Sequence, residues 1–386
     1  MKHFDYIIAG AGCSGRSLAV RMLPYLQSTN KRVLLVDQAG KKGNDKTWCF
    51  WEEHSDIFEP IIYKSWNRLS FASHLFHKEL DIDPYQYKMI RAIDFYAHTD
   101  ELLAAHPQQV SSIQGNVEKL YTEKELAYVQ MDGEIFSCDY VFSSIPQTQE
   151  KRPERYQYFL QHFEGWTIET AAPAFNAECA TLMDFNTDQK AGTTFVYVLP
   201  LSPNRALVEY TVFSEQELPA AAYTTALEQY IREQLKCTDY TIKEREHGVI
   251  PMSDHPIKRQ QDRVIYLGTA GGFTKGSTGY TFRFIQKHTA ALVQELMKSG
   301  TPNIPAISAS RFTMYDATLL NLLRSRRISG EEIFSRMFQK NSARKILKFL
   351  DNDSTLLDEI QIFSTLQKRE FALALLNRTL KLMRSS

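Results

Sequence analysis

The chain has 386 residues, 45 Lys plus Arg against 45 Asp plus Glu, and 43% hydrophobic content. That length exceeds one typical core, so two interleaved or consecutive domains are expected, with ample apolar content to fold. Balanced charge, with no long basic run and no nucleic-acid motif, argues against a nucleic-acid partner. The chain enters its first strand within a few residues and contains no stretch of about 18 apolar residues, so neither a leader nor a membrane span is expected. The five cysteines are scattered without CxxC pairs and read as free thiols, and the ten histidines show no ligand spacing, which leaves a metal site unsupported.

Tyr6-Ile7-Ile8-Ala9 reads as a short buried strand, and residues 17–23 as a helix. Between them Gly10-Ala11-Gly12-Cys13-Ser14-Gly15 forms a GxGxxG loop. Its first glycine suits a tight turn, its second lets a pyrophosphate approach the backbone, and its third lets helix and strand pack; the helix start offers free N–H groups to phosphate. A second strand, residues 31–37, ends in Asp37 about 20 residues past the glycines, where a ribose hydroxyl is expected. Strand, glycines, helix, strand and terminal acid in that order indicate dinucleotide binding.

Residues 38–46 are polar and read as a loop. Thr47-Trp48-Cys49-Phe50-Trp51-Glu52 follows abruptly. Trp48, Phe50 and Trp51 serve either local core packing or the apolar wall of a ligand pocket beside the cofactor. Residues 61–82 alternate loosely and suit strands of a second layer. Residues 87–95 lead into a helix through Leu103, with Arg91 either a surface charge or a guanidinium near the cofactor. Asp132-Gly133 between alternating runs signals a hairpin. Residues 139–146 close this unit as a buried strand, and polar residues 147–155 are the linker candidate.

Residues 165–171, 194–199 and 205–213 read as long strands of a mostly antiparallel sheet covering the cofactor. Within the third, alternation puts Leu207, Glu209, Thr211 and Phe213 on one face and Val208, Tyr210 and Val212 on the other. Glu209 is therefore an acid among apolar neighbours, a setting that raises a carboxyl pKa and suits proton transfer; an edge-strand surface glutamate is the alternative. A helix over 218–235 and a strand over 241–252 follow. Gly268-Thr269-Ala270-Gly271-Gly272, then Thr278-Gly279 before a helix through Met297, supply a second glycine-rich helix start. A large cofactor such as FAD has use for one. The final third reads as helices over 308–327, 331–350 and 364–383. The last is amphipathic and basic, suited either to an anionic membrane surface or to capping the protein body.

Two long stretches carry a resemblance. Asp45-Lys46-Thr47-Trp48-Cys49-Phe50-Trp51-Glu52 resembles the N-D-R-T-W-C-F-W segment of carotenoid lycopene cyclases. Residues 268–282 resemble their G-x-A-G-G-x-x-K-P-S-T-G-Y-x-F stretch, with Gly276 in place of proline. The resemblance runs to about residue 300. It implies a Rossmann-like FAD-binding domain of the flavin monooxygenase type, an interleaved antiparallel substrate sheet and a helical C-terminal region. It further implies a cytoplasmic enzyme peripheral on the membrane, converting the linear ends of lycopene to β-rings with reduced FAD and NAD(P)H as electron donor. The expected FAD-binding segments are 1–60, 87–150 and 248–300, with substrate segments 61–86 and 151–247 and a helical region 301–386. The family's acidic motif, F-L-E-E-T or I-E-D-T, falls on residues 207–211; it keeps its first acid as Glu209 and has Tyr210 for the second. Cofactor contacts are expected from Gly10, Ala11, Gly12, Ser14, Gly15, Asp37, Arg91, Gly268, Gly271, Gly272, Thr278 and Gly279, and substrate contacts from Trp48, Phe50 and Trp51. Thr269 stands where related hydroxylases carry aspartate, as expected of a cyclase.

Overall fold

The computed structural model describes residues 2–41, 43–146, 153–304 and 306–383. β1 (Lys2–Ala9), α1 (Cys13–Thr29) and β2 (Val33–Asp37) form the expected strand–helix–strand unit, with β1 and β2 parallel. α1 stops where Asn30 turns left-handed at φ 55°, a conformation asparagine tolerates. Next come β3 (Thr47–Glu52), β4 (Lys64–Trp66), β5 (Arg68–Ala72), β6 (His77–Asp81), β7 (Gln86–Arg91) and α2 (Ala92–Ala104). β8 (Val110–Gln114), β9 (Val117–Glu123), β10 (Leu126–Met131) and β11 (Glu134–Ser143) follow, and Asp132-Gly133 joins β10 to β11 as the expected hairpin. Residues 147–152, where the linker candidate begins, lie outside the described residues.

β12 (Tyr158–Thr170), β13 (Cys179–Asp184), β14 (Thr193–Ser202), β15 (Arg205–Ser214), α3 (Ala220–Glu233) and β16 (Tyr240–Ser253) make up the middle of the chain. β17 (Gln260–Gln261), β18 (Val264–Tyr266) and α4 (Phe282–Ser299) return it to the first unit. β18 pairs in parallel with β11, which itself lies beside β1.

The strands sort into three sheets. An eight-stranded sheet runs β17-β18-β11-β1-β2-β8 with β10 and β9 continuing from β11; a seven-stranded sheet runs β16-β12-β15-β14-β13-β5-β6; β3-β7-β4 form a small third sheet. The chain thus visits the two large sheets alternately, as the interleaved arrangement requires. Two seams differ from expectation. The one at residue 247/248 falls inside β16, which stays in the seven-stranded sheet to Ser253, and residues 87–91 lie in β7 of the small sheet rather than in the cofactor sheet.

One face of the seven-stranded sheet packs on α3 through Val196, Val208, Tyr210 and Val212 against Tyr223 and Leu227. The other face, with Tyr197, Leu199, Leu207 and Phe213, shares a core with the small sheet and the C-terminal helices. Those helices are α5 (Arg311–Ser325), α6 (Gly330–Lys340), α7 (Ala343–Leu350), α8 (Leu356–Ser364) and α9 (Lys368–Met383). The single helix expected over 331–350 breaks at extended Asn341, whose side-chain amide donates to Met337 O and Thr365 Oγ1 in place of a continued helical ladder. α8 was missed, although Thr355 and Asp358 form a capping box at its start.

The helical region is bolted to the late glycine-rich segment by buried charge. Lys275 Nζ reaches Asp316 Oδ1 of α5 and Asn352 Oδ1, each at 2.7 Å, and Ser277 Oγ donates to the same Asp316 oxygen at 2.6 Å. Lys275→Met leaves the Asp316 carboxylate buried without its cation, and is expected to destabilise the fold by about 3 kcal/mol or more in chemical denaturation. A double variant that also replaces Asp316 by leucine recovers part of that loss.

Candidate active site

Both glycine-rich segments meet at one end of the eight-stranded sheet. A side chain on Gly15 would lie 2.0 Å from the Gly10 carbonyl oxygen, so only glycine lets α1 start this close to β1. Gly12 has open space where a side chain would stand, leaving its backbone approachable. Ser14 is buried beside Gly268, the first residue of the one-turn helix Gly268–Gly271. Asp37 accepts the Ala11 N–H at 2.7 Å and lies 3.7 Å from Lys41 Nζ. The early loop, the acid that ends β2 and the late segment are thereby gathered at one place.

A cavity of about 270 Å³ opens beside them. Trp48, Cys49, Tyr87, Phe163, Tyr197 and Tyr280 give it a largely aromatic wall, and Glu209, Glu246, Gln161 and Gly279 also line it. Trp48 sits in the wall with its ring 5.7 Å from Phe282. The other two aromatic candidates do not reach the cavity. Phe50 stacks on Phe282 at 4.7 Å within a buried cluster, and Trp51 donates its indole N–H to Leu347 O of α7 at 3.1 Å. They are core residues, because β3 is covered on both faces, by α4 and α2 on one side and the C-terminal helices on the other. Arg91 is also placed elsewhere: Asp94, in the first turn of α2, holds its guanidinium at 2.6 and 2.9 Å, and it stacks 3.9 Å from the Tyr63 ring centroid.

Glu209 lies on the cavity face of β15, as its alternation predicts, while Tyr210 points to the α3 side. Thr211 Oγ1 donates to Glu209 Oε1 at 3.0 Å. Surrounding protein pushes the Glu209 carboxyl well above the usual carboxylate range, first by withdrawing it from water and then by the proximity of Glu246. Glu246, on β16, is raised too by burial, while Thr47 Oγ1 donates to its Oε2 at 2.7 Å and opposes the shift.

Strand register explains how two glutamates on non-adjacent strands meet. Glu246, Gly165, Glu209 and Tyr197 form one row across β16, β12, β15 and β14. Two strands apart, the glutamate Cα atoms are separated by about 10 Å. Their side chains close that gap over Gly165, where a Cβ would already stand 3.0 Å from Glu246 Cγ and from Leu207 Cδ1. Sequence reasoning placed the strand carrying Glu246 but not its role. The usable signal was Gly165 in a strand interior, which marks close approach by a neighbour.

The lycopene cyclase protein family matches residues 5–378. The chain belongs to the lycopene cyclase family. It is 23% identical over 295 residues to a lycopene β-cyclase of Pantoea ananas, covering 72% of this chain and 71% of that one. A lycopene β-cyclase of Paracoccus sp. is 24% identical over 343 residues, covering 83% and 80%. In structure the chain resembles a geranylgeranyl bacteriochlorophyll reductase-like protein of Thermoplasma acidophilum, with a TM-score of 0.63 and 11% identity over 98% of this chain and 100% of that one. A flavin-dependent halogenase of Xanthomonas campestris gives a TM-score of 0.58 at 11% identity, over 100% of this chain and 95% of that one. The fold is therefore the expected α/β flavoprotein architecture with an interleaved antiparallel sheet and a helical C-terminal region.

Within the lycopene cyclase motifs, Tyr210 replaces an acid whose position faces α3 rather than the cavity, so the departure takes no carboxylate from the site. The second carboxylate comes from Glu246 instead. The residues present also fit FAD. Thr278 Oγ1 and Gln161 Oε1 are buried polar atoms without a hydrogen-bond partner among the described residues, and the second lines the cavity. A large polar cofactor reaching from the Gly12 backbone to Gly279 would answer both. Among the described residues no cluster of His, Cys, Asp and Glu suits a metal ion.

Gly15→Ala places a methyl group against the Gly10 carbonyl, and is expected to cost about 1–3 kcal/mol of stability and most of the bound flavin. Flavin absorbance per chain after purification checks this, with Gly43→Ala, at a glycine with open space around it, as the neutral control.

Proposed function

We propose that this chain cyclises the linear ends of lycopene to β-rings, giving γ-carotene and then β-carotene, by proton-initiated carbocation chemistry without net redox change. The observation that carries the reading is Glu209, a buried carboxyl in an aromatic cavity beside the late glycine-rich segment, where loss of water and the neighbouring Glu246 favour its protonated form. An alkene is a weak base and accepts a proton only from an acid that is neutral and poorly hydrated. The burial of Glu209 and its neighbour Glu246 favour both conditions.

Proton addition to the terminal double bond leaves a tertiary cation, which the neighbouring double bond attacks to close the ring. Trp48, Tyr197 and Tyr280 line the space in which that charge develops, and a desolvated cation over an aromatic face gains about 2 kcal/mol. The same wall keeps out water that would otherwise trap the cation as an alcohol. The Glu209 carboxylate left behind removes a ring proton, so the acid is regenerated and no atoms are gained or lost. Gly10, Gly12, Gly15, Asp37 and the 268–279 segment would hold FAD, which in a reduced anionic state would add negative charge to stabilise the cation, with NAD(P)H as the electron source.

A hydrocarbon substrate resides in lipid, and the helical region offers a surface suited to it. Leu356, Leu357 and Ile360 of α8 are 58%, 73% and 63% exposed, and Leu376 of α9 is 54% exposed. α9 itself is anchored by Arg378, which reaches Asp254 Oδ2 at 2.6 Å, so α8 supplies the more exposed apolar face. Among the described residues no helix is long and apolar enough to cross a membrane, and the exposed leucines and isoleucine of α8 support a peripheral contact. Leu357→Asp combined with Ile360→Asp is expected to reduce co-sedimentation with anionic liposomes severalfold while flavin content stays unchanged.

In a bacterium engineered to accumulate lycopene, the wild-type chain is expected to yield γ- and β-carotene on chromatography. Glu209→Gln lowers the rate by about 10²–10⁴. Stoichiometric consumption of NAD(P)H per product would instead indicate a flavin oxidoreductase and overturn the reading.

A further inference from the structure

Glu246 has no part in the motif that marks Glu209, yet its surroundings are built around that residue. Thr47, within the aromatic stretch of β3, donates to Glu246 Oε2, and this bond ties β3 to the edge strand of the substrate sheet. The other oxygen, Oε1, is buried and faces no hydrogen-bond donor among the described residues. A buried carboxylate oxygen left in that state is expensive. The neighbouring Glu209 carboxyl lies within hydrogen-bonding reach, but two carboxylates repel and neither can donate. A proton carried by Glu209 resolves the conflict, because it turns one of the two groups into a donor.

We propose that Glu246 is a positioning residue for Glu209: its carboxylate, oriented by Thr47 and brought over Gly165, accepts the Glu209 O–H and keeps that acid loaded with its proton until an alkene takes it. The inference rests on the reading of Glu209 as the proton donor and adds the residue that maintains it. When the proton leaves, Glu246 and Glu209 are both negative beside the developing cation, so the pair stabilises the charge it has created. Return of a ring proton to Glu209 restores the original pair, with one proton out and one proton back.

The direction of the effect follows from electrostatics. A negative Glu246 next to Glu209 makes ionisation of Glu209 harder and moves it to higher pH. The acid is thus active below that point and is lost as pH rises through it. Burial pushes the Cys49 thiol of β3 and the phenols of Tyr87 on β7 and Tyr197 on β14 upward, and the Tyr280 phenol, before α4, up to about 12. Of the remaining charges, Glu244 on β16 pairs with Arg205 at 3.0 Å, His247 with Glu217 at 3.2 Å, and Asp45 and Lys46 line the cavity from the loop before β3.

The test uses the full, flavin-loaded chain. Infrared difference spectra titrate the protonated carboxyl C=O band in wild type, Glu209→Gln and Glu246→Gln, and the pH dependence of lycopene turnover is measured on the same samples. The wild type is expected to show a protonated carboxyl near neutral pH that vanishes in Glu209→Gln. In Glu246→Gln that band and the alkaline limb of turnover move together to lower pH by roughly one unit or more, with activity retained on the acid side. An unmoved alkaline limb in a folded, flavin-loaded Glu246→Gln protein overturns the proposal, as does loss of turnover at every pH, which would make Glu246 a direct proton carrier. Thr47→Val guards against a misfolded glutamine variant. Deprived of its donor, Glu246 takes up a proton at higher pH than in wild type, and a second protonated carboxyl band appears earlier on acidification; no change in that band counts against the pair. If lycopene is not turned over at all but the band shifts as described, the reading of the substrate fails and the pairing stands.

Discussion

Two carboxyl groups brought together in a site with little water resist ionising together unless a cation is beside them, and most of the architecture around this cavity enforces that meeting. The seven-stranded sheet supplies a flat row in which Glu246 and Glu209 flank a residue without a side chain. The small sheet closes the cavity from one direction with Trp48 and Cys49, and delivers Thr47 to fix Glu246. The segment before α4 closes it from another with Gly279 and Tyr280. Removing any one of these elements would open the carboxyls to water and weaken the burial that raises both of them. Acid strength in this protein is thus a property of strand register and of enclosure, more than of the glutamate itself.

Enclosure in turn requires that three layers from distant parts of the chain hold their relative positions. Buried charge does much of this. Lys88 of β7 joins Glu52 of β3 at 3.1 Å and also reaches Glu59, and Arg283 of α4 reaches the same Glu52 at 3.2 Å. From α4 the network continues through Lys287 to Asp351, just after α7, at 2.7 Å. Withdrawn charges of this kind contribute little net stability, but they penalise any arrangement that separates them. Here they link the small sheet, the helix after the late glycine segment and the C-terminal helices, the three parts that frame the aromatic wall. Apolar packing alone would tolerate sliding between these layers; paired buried charges do not.

What the sequence disclosed divides along the same line. Local chemistry was legible: the glycine loop, the Asp132-Gly133 turn and the cavity-facing side of Glu209 each follow from residues within one element or its immediate neighbours. Features set by contact between remote elements were not. Phe50 and Trp51 belong to the same aromatic run as Trp48, and only the covering of β3 on both faces decides that they are core. Arg91 is taken by Asp94 one helical turn away, a pairing that sequence spacing permits without requiring. Glu246 needed the register of β12 against two partners at once, including an irregularity between Thr167 and Ile168 that spacing alone does not reveal.

The division of labour between Glu209 and its surroundings also accounts for a departure from the family pattern. A second acid directly after Glu209 would point from the sheet toward α3, into a layer where Tyr210 packs edge-on to Tyr223 with ring centroids 6.5 Å apart. Alternation along a strand makes an adjacent residue a poor partner for Glu209, because the two side chains leave opposite faces. A partner must instead arrive laterally, from the same face of another strand, and Gly165 leaves that route open from β16. The replacement at position 210 therefore trades a polar group for packing on the α3 side while Glu209 and Glu246 stay together on the other. A sheet with two functional faces can vary one without disturbing the other, provided the row that crosses it keeps its glycine.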